Sequence, residues 1–167
     1  ELKQVPRNYG IEFDVRDSNG ELLITHDPFT TGPIFEDYIK HFRHRFMIVN
    51  VKSEGIEFRI IQILEKYNIT NYFFLDCSFP MIWKLSNLTP SNTNIAVRYS
   101  QFESLETVLA VSNRVKWVWV DCFSHLPLTA DIIATIKSKG LKICIVSPEL
   151  QGQPEKITQY RNQLLSI

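Results

Sequence analysis

The chain predicts an α/β fold, a (β/α) TIM-type barrel, and three observations carry that expectation. Apolar runs rich in β-branched and aromatic residues alternate with longer stretches of helical periodicity. The runs are apolar almost throughout, as strands of a mostly parallel sheet covered by helices must be. Polar residues recur where these runs end: Asp14 and Arg16, His26, Lys52, Asp76, Arg98, Asp121, and Ser147 with Glu149. A barrel builds its site from the C-terminal ends of many strands, whereas an open doubly wound sheet gathers ligand groups at one switch point. No glycine-rich phosphate loop follows any run, which weighs further against the open sheet. The 167 residues fall short of the about 250 of a full barrel, so the expected barrel is incomplete, lacking a first strand, a last strand or both.

The first strand is expected over 10–16, with Ile11, Phe13 and Val15 on one face and Glu12 and Asp14 on the other. Ser18-Asn19-Gly20 marks a turn, and 22–26 returns as the second strand. A helix over 33–43 follows the breaker Thr31-Gly32-Pro33. Strands at 46–52, 72–77, 95–99, 116–121 and 141–146 then alternate with helices at 55–67, 79–87, 103–112, 129–138 and 154–166. Residues 56–65 place apolar side chains at helical spacing. Thr129 reads as an N-cap and Gly140 as the glycine that ends the same helix. Trp117 and Trp119 alternate with Val118 and Val120, so one set packs against helices and the other fills the barrel. Leu2 to Val5 read as the tail of a further helix, and no linker divides residues 1–167, which read as one domain.

Composition narrows the function classes. Hydrophobic residues make up 44% and charged residues 22%, ordinary for a soluble globular protein. The formal charge is zero and no polybasic run occurs, so neither nucleic acid nor a membrane surface is expected as a partner. No apolar run approaches the roughly 18 residues of a membrane span. Cys77, Cys122 and Cys144 show no CxxC or zinc spacing and read as packing residues, which points to a reducing, cytoplasmic setting. His41 and His44, within Lys40-His-Phe-Arg-His-Arg, read as a solvated helix end and not as a metal site.

The chemistry concentrates in residues 11–27. Two carboxylates, Glu12 and Asp14, leave one face of a strand, and a hairpin then delivers His26 and Asp27 close by. Hard oxygen ligands beside a titrating imidazole are what metal-assisted phosphate chemistry requires. Lys52, ending an apolar strand, is placed to offset phosphate charge; Asp76, Arg98 and Arg16 are candidate substrate contacts.

Gly10 to Arg16 followed by Glu21 to Pro28 resembles the glycerophosphodiester phosphodiesterase family of phosphatidylinositol-phospholipase-C-like barrels. The likeness extends to Val49-Asn-Val-Lys and to Ser78-Phe79. The resemblance implies that Glu12 and Asp14 bind a divalent cation, magnesium or calcium. It makes His26 one of two catalytic histidines and Lys52 the lysine that neutralises the phosphate. It also implies a small phosphodiester substrate and a hydrolase activity. Two departures stand out. The family's other histidine, in a His-Arg-Gly motif, is absent from these residues and is expected upstream. Asn50 occupies the place of a third acidic ligand, so cation affinity is expected to fall, with Glu54 as a possible compensating oxygen. The rival expectation is a non-catalytic barrel that binds a phosphorylated small molecule.

Overall fold

A computed structural model describes residues 4–167; Leu2 and Lys3, part of the expected helix tail, lie outside them. The elements in chain order are β1 (Gly10–Ser18), β2 (Glu21–Ile24), α1 (Phe35–Ile39), β3 (Phe46–Val51), α2 (Glu57–Lys66), β4 (Tyr72–Leu75) and α3 (Phe79–Ser86). They continue as β5 (Ala96–Tyr99), α4 (Leu105–Ala110), β6 (Trp117–Val120), α5 (Ala130–Ser138), β7 (Lys142–Ile145) and α6 (Ile157–Leu165). Each falls within or over a segment whose pattern predicts it. None of the helices among the described residues is long and apolar enough to cross a membrane.

The expected (β/α) barrel is not what these elements build. They form a mixed four-stranded sheet, β2-β1-β3-β4, and a separate three-stranded parallel sheet, β5-β6-β7. Strand–helix alternation specifies parallel neighbours one pair at a time. Closure needs more: one continuous ladder with matched tilt and stagger. The antiparallel β2 instead takes the outer edge of β1, pairing Val15 with Ile24 through Ser18 with Glu21. The chain divides into two compact units, one up to Met81 and one from Ile82 onward.

In the first unit, Asn19 and Gly20 turn the hairpin with φ of 50° and 84°, the two positive values that a tight two-residue connection requires. β1 runs parallel to β3 with Phe13 opposite Val49 and Asp14 opposite Asn50. Asn50 in turn stands opposite Leu75 of β4. Alternation along the strands therefore sorts two faces. Phe13, Val15, Met47, Val49 and Val51 are buried on one of them. Helices supply Phe35, Ile39, Ile60 and Leu64 to the same core. Phe13 is its centre, meeting Phe35, Tyr38 and Phe42 edge-on with ring centroids 6.1, 6.3 and 6.2 Å away.

In the second unit Arg98, Trp119 and Cys144 stand in register across β5, β6 and β7. Val97, Tyr99, Val118 and Val120 are buried between them along the strands. Helix α5 begins where its N-cap predicts: the Thr129 hydroxyl accepts the Ile132 N–H at 3.3 Å. It ends at Gly140, whose φ of 74° a β-carbon would strain. Trp119 is buried and Trp117 half-buried, with the Lys142 ammonium 5.1 Å from the Trp117 ring centre. The three cysteines are free. Burial pushes the Cys122 thiol up to about 11, and burial with Glu57 alongside pushes Cys77 well above its ordinary value. Neither is a ready nucleophile.

Packing of this kind sets a hierarchy of stabilities. Phe13→Ala is expected to cost about 3–5 kcal/mol by leaving a cavity among three rings, and Thr129→Ala about 1 kcal/mol through the lost cap. Urea titration of both variants measures the difference, and equal small losses would show that Phe13 is not the core anchor.

Candidate functional site

The second face of the first sheet is polar along β1, although Ile48, Phe73 and Leu75 lie on the same face. Glu12 and Asp14 project from β1, and Asn50 projects from β3 beside them because the parallel register pairs it with Asp14. The Asn50 amide Nδ2 donates to Glu12 Oε1 at 3.1 Å. Lys52 follows β3, pinned by its own N–H, which donates to the Val15 carbonyl at 2.9 Å. Its largely buried ammonium sits 3.6 Å from Asp14 Oδ1 and 3.7 Å from Asp76 Oδ2. Asp76 reaches it from the end of β4 with a φ of 65°, a left-handed conformation that aspartate adopts more readily than most residues. Five of the residues singled out from the sequence thus meet at the C-terminal ends of three parallel strands.

Three carboxylates, those of Glu12, Asp14 and Asp76, share this cluster with Lys52. Glu12 keeps contact with solvent, yet its carboxyl lies above its usual range. Lost hydration is the largest cause, and Asp14 and Asp76 add to it; the Asn50 hydrogen bond and Lys52 act in the opposite sense. Two oxygens, Asp14 Oδ1 and Asn50 Oδ1, are shielded from solvent without a hydrogen bond. The Lys52 ammonium ion-pairs with the first at 3.6 Å; a shielded acceptor such as the second costs free energy unless something coordinates it.

Those oxygens decide whether a cation fits. Among the described residues no three His, Cys, Asp or Glu side chains are grouped to hold a metal ion. The face instead offers two carboxylates and one amide carbonyl, a donor set of hard oxygens. That set fits a magnesium or calcium ion that keeps several of its waters. Glu54 does not join the set. β3 ends at Val51, and Glu54 lies exposed beyond it, accepting the Ser78 hydroxyl at 2.8 Å.

Other candidates are differently engaged. His26 lies on an exposed loop, its Nδ1 2.8 Å from Asp27 Oδ1. Arg16 fastens that loop, its guanidinium donating to the His26 carbonyl at 3.2 Å. In the second unit Arg98 donates to the buried Asp121 at 2.5 Å. Asp121 also accepts from Trp119 Nε1 at 3.2 Å and from Gln151 at 3.3 Å. His125 sits in an exposed loop where Gln101 donates to its carbonyl at 2.7 Å. A further buried acid, Glu57 at the start of α2, has no counterpart in the sequence reading. Burial raises its pKa, and a lone glutamate in a helical pattern carries no signal that would reveal this.

No protein-family model, curated protein or solved structure matches this chain.

If the shielded oxygens form a cation site, Asn50→Asp supplies a third carboxylate. Its affinity for calcium is expected to rise about tenfold, the equivalent of about 1.4 kcal/mol, read as a larger cation-induced rise in Tm. The raised Glu12 pKa sets the sign of the pH dependence. Protons compete for Glu12 at a higher pH than for an ordinary glutamate, so the cation-induced stabilisation of the native chain is present at neutral pH. It should fade on acidification before the usual carboxylate range is reached. A cation response that is flat down to pH 4 would contradict this assignment of Glu12.

Proposed function

We propose that the polar face of the first sheet is a phosphodiester site served by a divalent cation. Its reaction is hydrolysis of a glycerol- or sugar-linked phosphodiester. The observation that carries this reading is Asn50 Oδ1, shielded from solvent without a hydrogen bond, beside the Asp14 carboxylate and Lys52. Glu12, Asp14 and Asn50 are the residues that would hold the cation, which supplies Lewis-acid polarisation of a phosphate oxygen when bound.

The remaining work falls to side chains. Lys52 offsets phosphate charge, exchanging part of its attraction to Asp14 and Asp76 for the ligand's oxygens. Asp27 holds His26 through Nδ1, which leaves Nε2 to carry a proton to or from the reacting oxygen. The resemblance to glycerophosphodiester phosphodiesterases supports the same assignment. One observation favours a second reading, binding without turnover: an amide stands at the third ligand position and already donates to Glu12.

Release of 4-nitrophenol from bis(4-nitrophenyl) phosphate, with calcium or magnesium added, separates the two. Turnover predicts cation-dependent release that falls at least about 100-fold in Asp14→Asn and about 100-fold in His26→Ala. Binding alone predicts no release above the buffer rate while glycerophosphocholine still raises Tm. Cation-dependent release unaffected by both Asp14→Asn and Lys52→Met would remove the site altogether.

A further inference from the structure

We propose that the first unit carries a second ligand site, an anion pocket that takes a small phosphomonoester bearing hydroxyl groups. It lies where β3 and β4 begin, the opposite end of these strands from Lys52 and Asp76. A cavity of about 510 Å³ opens there between the segment after α1 and the α2–β4 loop, a volume suited to a small organic ligand. Lys40, Arg43, His44 and Lys66 line it, and no carboxylate does.

The cations are held in place and kept charged. Lys40 pairs with Asp37 at 2.7 Å and Lys66 with Glu36 at 2.6 Å, both acids lying outside the lining. These partners hold both ammonium pKa values up and leave further N–H donors on each nitrogen. The Arg43 guanidinium donates to the Phe42 carbonyl at 2.6 Å and to that of Lys40 at 3.3 Å. Among the described residues no carboxylate pairs with it. A guanidinium fixed by backbone carbonyls and lacking a counter-ion suits the planar, paired oxygens of a phosphate.

Polar groups complete the pocket. His44 lines it and is fixed by its Nε2, which donates to the Val5 carbonyl at 3.0 Å. Asn68 and Thr70 line the same cavity with exposed polar ends. Lys40, His41, Arg43 and Arg45 are exposed after α1, as the reading of a solvated helix end expects, while Phe42 is buried. Helix α1 stops at Ile39, and the buried Phe42 ring anchors the following turn against Phe13. His44 is thereby drawn in against Phe42, ring centroids 5.4 Å apart.

The test is a titration of the isotopically labelled chain with inorganic phosphate and then glucose 6-phosphate, with sodium chloride at matched ionic strength as control. Saturable amide shifts are expected at residues 40–44 and 66–71, tighter for the sugar phosphate. Arg43→Gln should weaken binding at least tenfold and Thr70→Val several-fold; Thr70→Val removes only an exposed hydroxyl, so it stays informative if Arg43→Gln misfolds. The proposal is overturned by shifts that chloride reproduces, by shifts confined to Glu12, Asp14 and Lys52, or by Thr70→Val binding as tightly as the native chain. None of these readings uses cation-dependent hydrolysis, so the two sites stand or fall separately.

Discussion

The parallel register of β1 on β3 is the constraint from which the first unit follows. Pairing Phe13 with Val49 and Asp14 with Asn50 places Ile11, Phe13 and Val15 of β1 on one face with Met47, Val49 and Val51 of β3. A slip of β1 by one residue would carry Glu12 and Asp14 into the core and expel Phe13 from its three aromatic neighbours. Two buried carboxylates and a displaced phenyl ring would cost far more than any local propensity could return. The hydrophobic core thus sets the geometry of the polar face without touching it. Asn50 reaches Glu12, and Lys52 reaches Asp14, because the opposite face is filled.

Electrostatics then distinguishes that polar face from a plain surface. Lys52 lies 3.6 and 3.7 Å from the Asp14 and Asp76 carboxylates. Lost hydration, with Asp14 and Asp76 adding to it, holds the Glu12 carboxyl up, and Asn50 Oδ1 stays shielded without a hydrogen bond. In the second unit the corresponding polar face is more nearly self-sufficient. Asp121 is buried, and Arg98, Trp119 and Gln151 all donate to it. Removing one partner of a buried acid so surrounded leaves an uncompensated charge and is costly.

The two ends of the first sheet carry opposite chemistry. Where β3 and β4 finish, Lys52 and Asp76 meet the acids of β1. Where they begin, Lys40, Arg43 and Lys66 surround a cavity free of carboxylates. Because strand and helix alternate, each strand end is a loop, and loops tolerate the polar residues that the layers between cannot.

Much of this was legible along the chain. Strand and helix positions follow from periodicities of two and 3.6 residues, which are local. The hairpin at Asn19-Gly20 and the limits of α5 at Thr129 and Gly140 are encoded in residues next to the bonds they make. The shared face of Glu12 and Asp14 needs only the strand's alternation. What the pattern could not express was any choice between distant partners. Closure into a barrel depends on which edges meet, and β2 took the edge of β1. Glu54 found Ser78, and Asn50 donated to Glu12, each a selection among several polar groups that only the folded chain brings within reach. The basic run after α1 became a pocket wall for the same reason: Phe42 was captured by a core that no six-residue window contains.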